Sequence, residues 1–354
     1  MSRIIHLRKA LPERAAGLVV SPVGRRYCTG FASSDGYLLL CREAALFLTD
    51  SRYIEAARQT IAGLPVEELA DAPKQLRAFC KAHGVRRLFL EHGFATLEQF
   101  ARLRRWLPGV YIERGPLLTQ ALHGLRAVKS TEEIANIRAA QAIAEAALAH
   151  ALSLPLVGMS ERELALALDF YMLRHGAQSL AFETIAVAGE NGANPHGVPG
   201  SRAIRPGDLI TMDFGCVVNG LHSDMTRTVA AGAISDEQQR IYEIVLRAQR
   251  AALERLGPGV ACRDIDAAAR DVIKAAGYDA YFRHGTGHGV GYEIHEAPVL
   301  SPKSNEILRP GMVVTVEPGI YVPGFCGVRI EDMVLITEKG YENLTAAGKD
   351  VCLI

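Results

Sequence analysis

Two β-rich runs, Leu209-Ile-Thr-Met-Asp-Phe214 and Ser223-Asp-Met-Thr-Arg-Thr-Val229, flank the dipeptide Asn219-Gly220. Asn and Gly both tolerate positive φ, so this pair between two strand-like runs predicts a hairpin closed by a type I′ turn. With Asn219 and Gly220 as the loop, Val218 faces Leu221, Gly215 faces Asp224 and Asp213 faces Thr226. Strand alternation then projects Asp213 and Asp224 from one face as diagonal neighbours, roughly 7–8 Å apart at Cα. The same reasoning near the C-terminus places Glu317 and Glu331 symmetrically about Gly324, in the loop Tyr321-Val-Pro-Gly-Phe-Cys-Gly327. Four acids pointed together from mainly apolar strands repel one another and are poorly solvated unless cations compensate them.

Taken singly, each acid reads more simply as a solvent-facing side chain or a turn cap. Jointly they acquire a nitrogen partner in the stretch RHGTGHGVGYEIHEAP, Arg283 to Pro298, which holds three histidines and four glycines. Glycines at alternate positions exclude a helical His-x-x-x-His clip. One glycine-flanked imidazole, His288, added to four carboxylates makes an oxygen-rich, one-nitrogen set suited to two divalent ions, closer to manganese or cobalt than to structural zinc with its thiolates.

The rest of the chain sets the frame. Its 354 residues are 49% hydrophobic and 22% charged, enough for a large core and for two domains. Thirty-nine basic residues balance thirty-nine acidic ones, and no basic stripe offers the phosphate-neutralising surface of a nucleic-acid binder. The opening MSRIIHLRKALPERAAG has no apolar signal-like segment and no run reaches the roughly 18 apolar residues of a membrane span, so a cytoplasmic protein with no membrane partner is expected. Seven scattered cysteines without a Cys-x-x-Cys pair, Cys28, Cys41, Cys80, Cys216, Cys262, Cys326 and Cys352, read as reduced thiols filling the core.

Residues 1–125 alternate strand-like runs (Gly17 to Val20, Tyr37 to Leu40, Ala45 to Thr49, Arg87 to Glu91) with helical ones such as Lys74 to His83, an α/β pattern. Capping boxes at Ser130–Glu133, Ser160–Glu163 and Ser235–Gln238 open three helices. The first runs to about Leu152, the second stops at Gly176, and the third should end with Gly257 in the left-handed C′ position. A shorter helix is expected from about Asp264 to Ala276, and further strands over Met312 to Glu317 and Val328 to Thr337. The fold class is α/β (α+β), with a smaller domain over 1–125 and a larger one over 126–354.

Asp213, Asp224, His288, Glu317 and Glu331, in the settings TMDFG, SDMTRT, GTGHGVG, VEPGIY and VRIED, resemble the five-ligand site of the pita-bread metallopeptidases, in particular the Xaa-Pro group of prolidase and aminopeptidase P. The resemblance is strong from about Leu125 to Ile354 and weaker before it, through Arg26 to Phe31 and Thr49 to Tyr53. It implies a pita-bread fold and two divalent ions per chain, manganese first and cobalt or zinc next. Asp213 would chelate one ion, His288 and Glu317 the other, and Asp224 and Glu331 would bridge them. It also implies cleavage before proline by a metal-bridging hydroxide, with Glu317 shuttling the proton. His196 and His295 would act as donors to the scissile carbonyl, His284 would lie nearer the leaving proline, and Arg329 would organise the site and the substrate terminus. The implied substrates are Xaa-Pro dipeptides or peptides with proline second, and the implied assembly is a homodimer, suggested also by the apolar N-terminal strands. Methionine aminopeptidases share the five ligands, but the N-terminal domain and Gly327-Val-Arg-Ile-Glu-Asp332 argue against them. Other pita-bread hydrolases such as creatinase lack the full set, and peptide-binding modules of this fold arise by losing ligands.

Overall fold

Local chemistry starts the long helices where the capping boxes stand. Ser130, Ser160 and Ser235 each accept from the backbone N–H three residues on, while Glu133, Glu163 and Gln238 reach back. The computed structural model describes residues 2–351, and divides into two compact units, one to Arg126 and one from Ala127. Cys352 lies outside the described residues.

In the first unit the strands β1 (Ala15–Val19), β2 (Tyr37–Cys41), β3 (Ala45–Thr49), β4 (Val66–Glu68), β5 (Arg87–Leu90) and β6 (Tyr111–Glu113) form one mixed sheet in the order β4-β3-β2-β1-β5-β6. Leu18, Leu39, Leu48, Leu88 and Leu90 pack with Leu76, Phe79 and Leu103 of its helices. Strands β1, β2 and β3 are therefore consumed in this unit's own core, and the apolar strands that suggested a docking surface for a second copy are already covered.

The second unit carries the strands β7 (Ser179–Leu180), β8 (Ile185–Ala188), β9 (Leu209–Phe214), β10 (Cys216–Val218), β11 (Leu221–His222), β12 (Met225–Ala230), β13 (Gly287–Gly289), β14 (Glu296–Leu300), β15 (Val313–Val316), β16 (Gly319–Val322), β17 (Cys326–Arg329), β18 (Asp332–Thr337) and β19 (Gly340–Asn343). Two helix pairs cover two of its sheets. Helices Thr131–Leu152 and Glu161–Arg174 bury Ala140, Ala144, Leu164 and Leu168 against Ile210, Met212 and Phe214 of β9. Helices Asp236–Arg255 and Cys262–Ala275 bury Ile241, Val245, Ile265 and Ala269 against Val314, Val316, Val334 and Ile336 of β15 and β18. Each such Leu, Ile, Val, Met or Phe side chain contributes about 1.5–3 kcal/mol on burial. That fixes which face of each strand meets the helices. The alternate residues, Thr211 and Asp213 on β9 and Thr315 on β15, project from the other face.

The hairpin register is the one the turn dictates. Val218 pairs with Leu221 and Asp213 with Thr226, and Asn219 (φ 49) and Gly220 (φ 79) both hold the positive φ of the turn. At the second hairpin Val316 pairs with Asp332 and Gly319 with Arg329, a common register centred on Gly324.

Two expectations fail. Val328 to Thr337 is not one strand: β17 ends at Arg329 and β18 begins at Asp332, because Glu331 donates its N–H to Thr226 O at 3.1 Å and passes the chain between sheets. Gly257 does not cap its helix. The helix ends at Arg255, Leu256 is extended (φ −67, ψ 139), and the left-handed residue is Gly259 (φ 83). Pro258 disfavours helical conformation in the residue before it. Among the described residues no helix is long and apolar enough to cross a membrane.

Candidate metal centre

Asp213 is the fifth residue of β9 and Asp224 precedes β12. His288 is the centre of β13, Glu317 follows β15, and Glu331 fills the break between β17 and β18. Close backbone approach makes His288 available: a Cβ on Gly287 would lie 2.0 Å from Thr315 O, so only glycine admits β13 at this distance from the β15 backbone. Ligand-type atoms of Asp224, His288 and Glu331 lie within 4.8 Å of one another. His288 Nε2 is 3.3 Å from Glu317 Oε1 and 3.6 Å from Asp224 Oδ2. His288 Nδ1 lies 3.1 Å from Gly289 O. In the tautomer with the proton on Nδ1, that carbonyl accepts it and the Nε2 lone pair is left facing the acids.

Asp213 is held differently. Arg329 Nη2 donates to its Oδ2 at 2.6 Å, Arg329 Nε donates to Thr226 Oγ1 at 3.0 Å, and Arg329 Nη1 donates to Tyr321 Oη at 2.8 Å. Thr226 Oγ1 passes its own proton to Glu331 Oε2 at 2.8 Å. Thr315 Oγ1 donates to Glu317 Oε1 at 3.2 Å.

One guanidinium, Arg329, and the imidazole of His288, whose pKa, against burial, its acidic neighbours raise, stand against four carboxylates. Two like charges about 5 Å apart at an effective dielectric near 20 repel by about 3 kcal/mol, and the ionisation of the acids records it. Burial pushes Asp224 well above the usual carboxylate range, and the charges of Glu331, Asp213 and Glu317 push it further. Burial and then Glu317 and Asp213 do the same to Glu331. Burial also raises Asp213, against the pull of Arg329. Glu317 alone goes down: burial opposes, but the hydrogen bond and charge of His288, with His284 and Arg329, outweigh it and hold the group at about 2.

A cation fits the donors present. Asp213 Oδ1 is buried with no hydrogen-bond partner, an arrangement that costs about 1–3 kcal/mol unless something positive faces the oxygen. Four carboxylates and one imidazole form a mainly hard set for a divalent ion.

The remaining histidines divide. The His295 ring stands edge-on to that of His288, centroids 4.3 Å apart. His196 is exposed, on the loop after β8, with its N–H on Asn194 Oδ1 at 3.1 Å. Both ring nitrogens of His284 are engaged, Nδ1 with Gly285 O at 2.8 Å and Nε2 with Tyr321 Oη at 3.1 Å. Burial lowers its pKa, so a neutral ring donates from Nδ1 and accepts the tyrosine proton at Nε2. His222, outside the motifs, bonds Gly291 O through Nδ1 at 2.9 Å.

Residues 135–338 match the model of metallopeptidase family M24, and residues 3–128 match the creatinase/prolidase N-terminal domain. The chain belongs to metallopeptidase family M24. It is 36% identical over 321 residues to an Xaa-Pro dipeptidase of Pyrococcus horikoshii, covering 90% of this chain and 88% of that one. It superposes on the structure of an Xaa-Pro dipeptidase from Bacillus anthracis with a TM-score of 0.95 at 37% identity, over 100% and 99% of the two chains. An X-Pro aminopeptidase from Thermotoga maritima gives 0.88 at 32% identity, over 96% and 97%. The protein is thus a metal-dependent peptidase of mixed α/β structure with a pita-bread catalytic domain, and divalent-metal binding belongs to its family.

Several residues that support this candidate site were not singled out in the sequence. Tyr321 is reachable by counting: Gly319 and Tyr321 share the parity of Glu317, and they face Arg329 and Gly327. Asp266, 1% exposed, accepts Thr286 N at 3.1 Å and Thr286 Oγ1 at 2.9 Å, while Arg270 binds Asp266, Phe282 O and His284 O. An i,i+4 acid–base pair usually reads as a solvated helix face, which hides this role. Behind Glu331, buried Asp332 accepts from Arg227 at 2.8 Å, Gln249 at 2.8 Å, Asn343 at 2.9 Å and Lys349 at 2.6 Å. Arg227 also donates to the Glu331 carbonyl.

Proposed function

We propose that this M24 peptidase hydrolyses the peptide bond before proline, with Xaa-Pro dipeptides as its first substrate class and two manganese ions per chain held by Asp213, Asp224, His288, Glu317 and Glu331. The observation that carries the reading is the convergence of Asp224, His288 and Glu331 within 4.8 Å beside the unpartnered Asp213 Oδ1. The names of its relatives and structural neighbours support the substrate class.

Bound divalent ions would supply Lewis acidity, bringing a water toward ionisation at neutral pH and polarising the scissile carbonyl. The chain's own residues do the rest. Glu317 takes the proton from the attacking water and returns it to the leaving nitrogen. His295 and His196 donate N–H to the oxygen that gains charge as the carbonyl carbon becomes tetrahedral. Arg329 keeps Asp213 ionised and oriented, with Tyr321 and Thr226 fixing the guanidinium plane. His284, engaged at both nitrogens, shapes the wall on the proline side. Proline lacks an N–H, so its recognition falls to shape and to its carboxylate. The catalytic domain begins near residue 126, the chain acts as a homodimer, and its buried free thiols suit a reducing cytoplasm.

The test is hydrolysis of Ala-Pro against Arg-Pro-Pro and Met-Ala-Ser, after chelation and then with manganese restored. Manganese-dependent cleavage of Ala-Pro is expected, and light scattering of the same protein should give two chains per particle. Cleavage of Met-Ala-Ser alone would return the methionine aminopeptidase alternative, and no cleavage of any peptide would defeat the reading.

A further inference from the structure

Strand β14 opens at Glu296, the residue after His295. Glu296 Oε1 lies 2.6 Å from Lys129 Nζ, and the two side chains are 5% and 2% exposed. Lys129 also donates from Nζ to Ala127 O at 3.2 Å. Its backbone is fixed on the other side: Lys129 N donates to Gly311 O at 2.8 Å, and Val128 bridges Met312, the residue before β15. β15 in turn leads to Glu317. Space for the ion pair depends on Gly291, where a Cβ would lie 2.5 Å from Glu296 Oε1 and 2.9 Å from Lys129 Cε. Gly291 O accepts from His222 N at 2.9 Å, so the segment from Gly291 to Glu296 is tied at both ends, with His295 one residue from the second tie.

Replacing a buried ion pair with apolar groups is often neutral or stabilising, so stability is a weak reason to keep Lys129 and Glu296. Placement of the neighbouring ring is a better one. We propose that Lys129 is a positioning residue for the reaction: through Glu296 it anchors the His295 turn to the strand that leads to Glu317, and so sets the edge-on placement of His295 against His288. The inference rests on the reading that His295 donates to the substrate carbonyl. Donation of that kind depends on geometry to within a few tenths of an ångström, and a displacement near 1 Å can cost about 10²-fold in rate.

The test uses the metal-loaded full chain and reads kcat and KM on Ala-Pro with metal content by elemental analysis. Lys129→Met, Glu296→Gln and the double variant are each made with and without His295→Ala. The double variant removes both charges of the pair together, so it carries the test if a single variant does not fold. Alone, the variants are expected to lower kcat about 10- to 100-fold with KM and metal content unchanged, and to cause no further loss once His295 is alanine. Unchanged kcat, or losses that multiply with that of His295→Ala, would overturn the proposal while leaving the role of His295 intact. Full turnover by His295→Ala itself would instead remove that role, and the positioning function with it.

Discussion

Arg329 Nη2 lies 2.6 Å from Asp213 Oδ2, and both side chains are largely buried. The protein itself therefore pairs one of the four converging acids with a cation of its own. Arg329→Met should destabilise the metal-free protein by about 3–5 kcal/mol, the usual cost of stranding one member of a buried pair. Urea unfolding measures it, and a change under about 1 kcal/mol would mean that the pair is solvated. Arg329→Lys keeps the charge but loses the fork that reaches Asp213, Thr226 and Tyr321 together, so kcat/KM should fall even where the fold survives.

Asp224→Asn is expected to act with opposite signs in the two metal states. It removes one of the mutually repelling charges, so the chelated variant should melt at or above the temperature of chelated wild type. With manganese in excess it should melt lower, because one of the proposed ligands is gone. Calorimetry in both states decides. A variant less stable than wild type in chelator would show that the acids of the metal-free fold do not repel as described.

The pH dependence of the metal-free protein follows from the same charges. Asp224 and Glu331 titrate well above their unfolded values, so their contribution is fully present below the ordinary carboxylate range and is lost as pH rises through the raised values. Glu317, held at about 2, works the other way, contributing above its unfolded value and losing that contribution as pH falls toward 2. In the window above the ordinary carboxylate range the carboxylate effect of Asp224 and Glu331 is the one that acts. The urea midpoint in chelator should fall across that window, and saturating manganese should flatten the slope. A midpoint that climbs with pH would contradict the assignment.

His288→Ala and His295→Ala should separate ligand from donor. The first removes a nitrogen 3.3 Å from Glu317 and 3.6 Å from Asp224, so metal content and rate should both drop. The second should leave metal content near wild type while kcat falls by about 10²-fold or more. Equal metal loss in both variants would erase the distinction.

Where turn chemistry and strand alternation act together, the fold could be read from the residues. Asn219-Gly220 specifies its turn, and with it the pairing of Asp213 with Thr226; Gly324 does the same for the second hairpin. The capping boxes at Ser130, Ser160 and Ser235 begin helices where they stand. What stayed hidden depends on chain segments distant in sequence. The run from Val328 to Thr337 is apolar enough for one strand, and only the bond from Glu331 N to Thr226 O breaks it. Tyr321 could be counted onto the Arg329 face by strand parity, but Asp266 gains its role from the His284 turn, which periodicity cannot announce. Gly257 has the composition of a helix stop, but Pro258 governs its backbone.

The two hairpins also make the centre a gauge of chain length. Asp213 and Asp224 sit on either side of one turn, and Glu317 and Glu331 on either side of another, each pair brought together by strand parity. Changing the loop tips at 219–220 or 323–325 can leave that parity alone. One residue added to a single strand between an acid and its turn rotates that acid to the opposite face, where it meets the apolar cover of the helices. A change of length that keeps every acid on its face is thus one made at the tips, or as paired additions on both strands.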